Sequence, residues 1–162
     1  MHQSLIDYFS YDGVQLRTVH DDDISELVTL INDAYSYQDE AKGAPRTNVE
    51  HLITRISETD FYVLEKENKV VGCVYLESHI TSLHFGLLTL TPSLRGTGVG
   101  KALIGAIIAY ARHRSFEHLE LDYMSLAPWL KTYYEQYGFK EIGEKVAWGS
   151  IDLIRMRLDL TA

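Results

Sequence analysis

Three glycines at alternate positions, Gly96, Gly98 and Gly100, stand between a β-rich run and a helical one in the segment Thr91-Pro92-Ser93-Leu94-Arg95-Gly96-Thr97-Gly98-Val99-Gly100-Lys101. Glycine lets backbone N–H groups approach an anion closely, and the first turn of a helix adds unpaired amides and a dipole that favours negative charge. A diphosphate is the natural guest of such a turn; the bland alternative is a tight strand-to-helix connection that holds nothing. Two familiar phosphate loops fail on spacing. A Walker A loop needs glycine five residues before its Gly-Lys pair and Ser or Thr after it, where this chain has Arg95 and Ala102. A dinucleotide fingerprint needs G-x-G-x-x-G, but Gly96 to Gly100 reads G-x-G-x-G and no β-α-β unit opens the chain. An ATP- or NAD-binding domain is therefore a weak rival.

Other residues offer acid–base chemistry. Tyr134 lies in Tyr134-Glu135-Gln136-Tyr137-Gly138-Phe139, although Leu130, Tyr133, Tyr134 and Tyr137 also sit at a spacing that core packing alone would explain. Glu77 ends one β-run, His84 lies on the next and Asp122 near another, and a strand-end glutamate is commonly a solvated charge. The seven histidines show no H-x-x-x-H or Cys-His grouping, and Cys73, the single cysteine, falls inside a β-run. The sequence suggests neither a metal site nor an internal disulfide.

The elements that must position these groups follow from periodicity. Residues 1–13 show none that is sustained and are read as an N-terminal extension, with a turn at Asp12-Gly13 before a strand over Val14 to Val19. Asp21-Asp22-Asp23 offers capping oxygens to a helix carrying Ile24, Leu27, Val28, Ile31 and Tyr35. Ser36 to Arg46 reads as a loop, and Thr47-Asn48-Val49-Glu50 as a capping box that opens a second helix through Leu52, Ile53 and Ile56. Phe61 to Glu65 and Val70 to Glu77 make a hairpin across Glu67-Asn68-Lys69, and Leu83 to Leu90 adds a strand ended by Pro92. Gly98 to Arg112 carries Leu103, Ile104, Ile107 and Tyr110 toward a sheet. His118 to Tyr123 is a strand, Leu126 to Tyr137 a helix with Pro128 in its first turn and Gly138 past its end, and Lys140 to Ala147 and Ile151 to Asp159 a closing hairpin. The order β-α-α-β-β-β-α-β-α-β-β predicts an α/β fold of the α+β kind, a mixed sheet covered by helices in one domain over residues 14–162.

With 162 residues, 46% of them apolar and 23% charged, the chain suits one globular domain. It has no unbroken apolar run long enough to cross a bilayer. The start, Met1-His2-Gln3-Ser4-Leu5, lacks the cationic and apolar segments of a secretory signal, so a cytoplasmic location is expected. A net charge of −8 argues against nucleic acid as a ligand. The same acidity would attract a cationic acceptor such as a polyamine or basic peptide, or serve solubility alone.

On these motifs the chain resembles the GCN5-related N-acetyltransferase family, whose cofactor motif Gln/Arg-x-x-Gly-x-Gly/Ala is matched by Arg95, Gly98 and Gly100. Tyr134 to Phe139 is similar to that family's late Tyr-Glu-x-x-Gly-Phe signature, and the element order from Val14 to Leu160 agrees. Two motifs in the right order, about forty residues apart, are hard to obtain by accident. The resemblance implies a mostly antiparallel sheet and an acyltransferase that moves acetyl from acetyl-CoA to a primary amine of a small molecule or peptide. It further implies that backbone groups around Leu88 and Leu90 pair with the pantetheine arm. The pyrophosphate would be held by Arg95, Gly96, Thr97, Gly98, Val99, Gly100 and Lys101.

In such a family Tyr134 would give a proton to the leaving thiolate, and Glu77 occupies the region from which a carboxylate takes one from the amine, with His84 and Asp122 as competitors. The acceptor would be walled by Tyr35 to Arg46 and Lys145 to Ser150, where Tyr35, Tyr37, Asp39, Glu40 and Trp148 offer contacts. Dimers are common in the family, which leaves a homodimer open. One departure is Ala127, where many members carry an Asn that bonds the cofactor arm; Ser125 could substitute or cap the helix. Because a fold does not guarantee turnover, a catalytically silent acyl-CoA-binding module is the alternative.

Overall fold

The computed structural model describes residues 4–161. The first three residues of the segment read as an extension, and Ala162 at the end of the expected domain, lie outside the described residues. Seven strands form one sheet: β1 (Gln15–Thr18), β2 (Asp60–Lys66), β3 (Lys69–Ser78), β4 (Ser82–Leu90), β5 (His118–Met124), β6 (Lys140–Trp148) and β7 (Ile151–Asp159), in spatial order β1-β2-β3-β4-β5-β7-β6. Every neighbouring pair is antiparallel except β4–β5. The sheet is flanked by α1 (Ile24–Ala34), α2 (Asp39–Lys42), α3 (Val49–Glu58), α4 (Val99–His113) and α5 (Pro128–Glu135). The expected mixed, mostly antiparallel α/β architecture is the one the chain adopts.

Each face of the sheet buries its own core. Leu103, Ile104 and Ile107 of α4, none of them exposed, pack on Leu83, Phe85 and Leu119. On the opposite face Leu27 and Ile31 of α1 and Leu52 of α3 cover Phe61, Val63 and Cys73. Each such aliphatic side chain contributes about 1.5–3 kcal/mol by leaving water, so the two layers hold the sheet from both sides. Residues 4–13 belong to the α4 side: Leu5, in a helical turn over Leu5–Tyr8, is fully buried there, and the Tyr11 hydroxyl donates to the Thr97 carbonyl at 2.6 Å.

Local chemistry explains where elements depart from expectation. Ser36 to Arg46 is more than a loop, since a helical turn at Ser36–Gln38 leads into α2, which Gly43 ends in the left-handed region at φ 76°. The cap of α3 is Asn48, whose side chain accepts the His51 N–H at 2.9 Å; Thr47 is engaged by Asn32 instead, so the box read from Thr47 does not form. The β2–β3 turn has Glu67 and Asn68 both at positive φ, as a two-residue hairpin loop requires. Helix α5 stops at Glu135 because the Tyr137 and Gly138 amides close tighter turns onto the Tyr134 and Glu135 carbonyls.

Strand β4 carries the irregularity that matters for the site. Against β3, Cys73 pairs with Thr89 but Tyr75 with Gly86, so two steps on β3 face three on β4. The extra residue falls beside Leu87, which has φ 51°, a strained value for a branched side chain held here by the surrounding sheet. The bulge reverses the alternation: Leu83 and Phe85 face the α4 core, whereas Leu87 joins the α1–α3 core and Leu88 and Leu90 pack toward α4. On its other edge β4 pairs with β5 only from Ser82↔His118 to His84↔Glu120. Beyond His84 the strands part, and a wedge opens in the middle of the sheet.

Candidate active site

The glycine turn closes the wide end of this wedge. After a helical turn at Pro92–Leu94 the chain passes through Gly96 at φ 76° and Gly98 at φ 97°, conformations that a Cβ would strain, and enters α4. The first bond of α4 runs from Ala102 N–H to the Gly98 carbonyl, leaving the Val99, Gly100 and Lys101 amides ahead of it. The Arg95 and Thr97 amides differ, donating to Pro92 and Leu94 within the turn. The turn therefore leaves the amides of Gly96, Gly98, Val99, Gly100 and Lys101 without a partner within it, while those of Arg95 and Thr97 serve its shape. The Arg95 guanidinium lies back against the Leu90 carbonyl at 3.3 Å. Gly100 makes room for a neighbour, since a Cβ there would stand 2.9 Å from the Tyr133 hydroxyl, which would have to shift.

From this turn a cleft of about 740 Å³ follows the exposed edge of β4 past Leu90 and Leu88, with Trp129, Tyr133 and Tyr137 on its far wall. It ends at Tyr134. That residue is 7% exposed, with its ring edge-on to Phe85, Tyr133 and Phe139. Burial, and then the neighbouring Tyr35, push its phenol well above the ordinary 10, so the side chain is an O–H donor throughout the physiological range. Core packing and a place in the cleft are not alternatives for Tyr134: it has both.

A second cleft of about 350 Å³ adjoins the first, and Tyr35, Tyr37, Leu88, Leu130 and Tyr134 line both. Glu77, His84 and Asp122 all face it. Their surroundings differ. Asp122 is gripped by Arg155, with Nε at 3.0 Å. Glu77 stands 3.0 Å from His79 Nε2 and 3.6 Å from Arg55. His84, the cross-strand partner of Glu77, lies 3.9 Å from Asp122, and burial lowers its imidazole below the ordinary 6.5, keeping it neutral at pH 7. The thiol of Cys73 lies elsewhere, buried in the α1–α3 core and pushed up to about 12 by burial, where it is inert.

The roof of the second cleft joins the two segments expected to wall an acceptor. Ser150 donates to the Ala41 carbonyl at 2.8 Å, and Trp148 stacks with Lys42 at 4.1 Å and Arg46 at 5.0 Å. Tyr35 and Tyr37 line the cleft, but Asp39 is turned to the Gln38 amide, and Asp39, Glu40 and Trp148 are not among its lining residues. Sequence reasoning passed over Arg46, Arg55 and Arg155; no motif marks them, and only the fold gathers three guanidiniums from a loop, a helix and a strand. Ser125 does not cap α5, whose N-cap position is Ala127; its hydroxyl accepts the Asp152 N–H at 3.1 Å and ties β7 to the end of β5. Among the described residues no cluster of His, Cys, Asp and Glu is arranged to hold a metal ion, and no helix is long and apolar enough to cross a membrane.

The same fold occurs in known proteins. The chain aligns at 29% identity over 93 residues with human N-acetyltransferase 8B, covering 52% of this chain and 40% of that one. The mouse protein of that name aligns at 27% over 108 residues, covering 61% and 47%. The chain thus spans less than half the length of these curated relatives. Among solved structures, the ribosomal-protein-S18-alanine N-acetyltransferase of Escherichia coli superposes with a TM-score of 0.72 at 16% identity, covering 91% of this chain and 94% of that one. The spermidine N-acetyltransferase of Vibrio cholerae, solved with CoA and spermine, gives 0.70 at 19%, covering 93% and 98%. At such identities these two speak to the fold alone. The sequence model of the acetyltransferase (GNAT) domain matches residues 31–160, most of the chain and all of the wedge and its walls. The protein belongs to the GCN5-related N-acetyltransferase family of acyltransferases.

Proposed function

We propose that the protein transfers an acetyl group from acetyl-CoA to a primary amine of a small molecule or peptide by direct attack of the amine on the thioester. The observation that carries this reading is the meeting of two clefts at Tyr134, one running back to the amides of the glycine turn and the other lined by proton acceptors. The residues present suit the cosubstrate. Amides of Gly96, Gly98, Val99, Gly100 and Lys101 answer a pyrophosphate, and the edge of β4 at Leu88 and Leu90, without a β5 partner, answers the amides of a pantetheine arm. The carbonyls of Leu88 and Leu90 accept from the Tyr35 hydroxyl and the Arg95 guanidinium, side-chain donors that an incoming N–H could replace.

Acetyl-CoA supplies the thioester, whose carbon–sulfur bond breaks as the bond to the amine nitrogen forms. Sulfur then needs a proton and the amine must lose one. Tyr134, held protonated by burial, donates to the departing sulfur. The amine's proton goes to the Glu77–His84 pair. Asp122 accepts two hydrogen bonds from Arg155, whereas Glu77 has His79 and the more distant Arg55 as partners, and His84 beside it is a neutral imidazole. Comparing kcat for Glu77→Gln and His84→Gln separates the two, because the variant that lacks the base loses turnover while acetyl-CoA affinity is kept.

The deciding experiment follows free thiol while the protein is incubated with acetyl-CoA and a panel of amino acids, polyamines, aminoglycosides and short peptides. Release of CoA with at least one acceptor supports the transferase. Tight acetyl-CoA binding with no release across the panel favours the silent acyl-CoA-binding module instead.

A further inference from the structure

The charges of the second cleft bear on the acceptor, whose assignment rests on the acetyl-transfer reading of the same site. Three guanidiniums, Arg46, Arg55 and Arg155, line it with two carboxylates, Glu77 and Asp122. Pairing them leaves one over. Arg155 holds Asp122, Arg55 faces Glu77, and no carboxylate among the described residues lies within ion-pair distance of Arg46. Its Nε is buried without a hydrogen-bond partner. The side chain is half-buried, and a buried donor left without an acceptor costs stability, so its retention points to a partner that arrives from outside. The group is also held in place: its Cζ lies 5.0 Å from the Trp148 ring centroid and 5.5 Å from that of Tyr35, and a guanidinium so supported can offer a carboxylate two parallel hydrogen bonds.

A second cation reinforces the sign. Lys42 sits 4.1 Å from the same Trp148 ring, and burial, then the charge of Arg46, lower its ammonium below the ordinary 10.5. Asp39 offsets Lys42 in part, which leaves Arg46 as the cation of the cleft without an anion beside it among the described residues. A polyamine would bring like charges toward Arg46 and Lys42, which penalises it. Distance sets the size of the guest: the Tyr35 ring that supports Arg46 reaches the Leu88 carbonyl at 3.4 Å, so one tyrosine separates the unpaired cation from the bulge in β4.

We propose that the acceptor is a small primary amine bearing a carboxylate, of the α-amino-acid class, whose carboxylate pairs with Arg46 while its amine lies toward Glu77 and His84. The test compares amino acids with their own amides, for example alanine, leucine, phenylalanine and glutamate against the corresponding α-amides, with spermidine alongside. An α-amide has the less basic amine and is intrinsically the readier nucleophile at neutral pH, so a preference for the acid reports the anion site. The expected result is an acid-over-amide preference in kcat/KM of about tenfold or more for at least one pair, the size of a charge-assisted hydrogen bond. Arg46→Met should collapse that ratio to near one, and Arg46→Lys should restore part of it. Because the readout is a ratio within one protein sample, partial misfolding cannot imitate it. A separate arm titrates the N-acetyl amino acids and their amides against Trp fluorescence in the CoA-loaded protein, with Trp148 next to Arg46 as reporter. Carboxylate binding that depends on Arg46, with no CoA release from any acceptor, would overturn the transferase reading and leave the anion site standing. Amides or spermidine outperforming the acids, a ratio unmoved by Arg46→Met, or no carboxylate binding in either arm would overturn the anion site.

Discussion

The two clefts that meet at Tyr134 are made of different material. The one that reaches the glycine turn offers mainly backbone: amides at the start of α4 and the freed edge of β4. The one under the roof offers side chains: three guanidiniums, two carboxylates and two histidines drawn from separate elements. A backbone site presents the same groups whatever the neighbouring side chains are, so it suits a donor common to a whole family. A side-chain site can be rewritten one residue at a time, which suits an acceptor that differs from member to member.

The comparison can be broken where the two clefts join. Tyr134→Phe removes the hydroxyl at the seam of the two clefts, and kcat should fall about 100-fold while acetyl-CoA affinity stays within about twofold, because general acid catalysis is lost and the ring remains. Single-turnover kinetics alongside acetyl-CoA titration would check this, and unchanged turnover would remove Tyr134 from the mechanism. The backbone nature of the donor cleft is tested next by Gly98→Val. A β-branched residue at φ 97° costs about 1–3 kcal/mol, so acetyl-CoA affinity measured by calorimetry should drop about tenfold or more. Lys101→Ala, by contrast, deletes an exposed side chain and keeps its amide, and the same titration should show a loss of no more than about threefold. Equal losses from the two variants would show that charge rather than backbone holds the donor.

The smallest effect lies in the acceptor cleft. His84 has its folded pKa below the ordinary 6.5, so between those two values the unfolded chain binds more protons and stability falls as pH drops. His84→Gln should therefore flatten the decline of Tm between pH 7 and 5, by about a degree or two. A decline as steep as in the parent protein would mean that the imidazole is solvated in solution.

The same division decides how much could be read from the amino-acid sequence. Element order and the glycine turn were legible because periodicity and φ-demanding glycines are local properties, carried by residues close together in the chain. The bulge at Leu87 was not, since nothing in Phe85-Gly86-Leu87-Leu88 announces a leucine at positive φ; it exists because β3 and β4 must match registers on both sides of it. The loop over Ser36 to Arg46 was under-read for a related reason, as its order comes from contacts with Trp148 and Ser150 more than a hundred positions away. Net charge is silent about the site: −8 is a sum over the whole chain, whereas the unpaired guanidinium of Arg46 is visible only when pairs are counted in space.

The bulge in β4 also works as a change of phase. Upstream of it odd-numbered residues belong to the α4 layer, and downstream the assignment is inverted, so the strand serves two cores that could not both be satisfied by one continuous alternation. Deleting a single residue there would restore uniform pleating and at the same stroke exchange the faces of Thr89 and Leu90, carrying the glycine turn out of line with the cleft it closes. Insertions and deletions should therefore be tolerated in outer hairpin loops away from both clefts, such as Glu67-Asn68, and excluded from this short stretch, a constraint on chain length that no single substitution would expose.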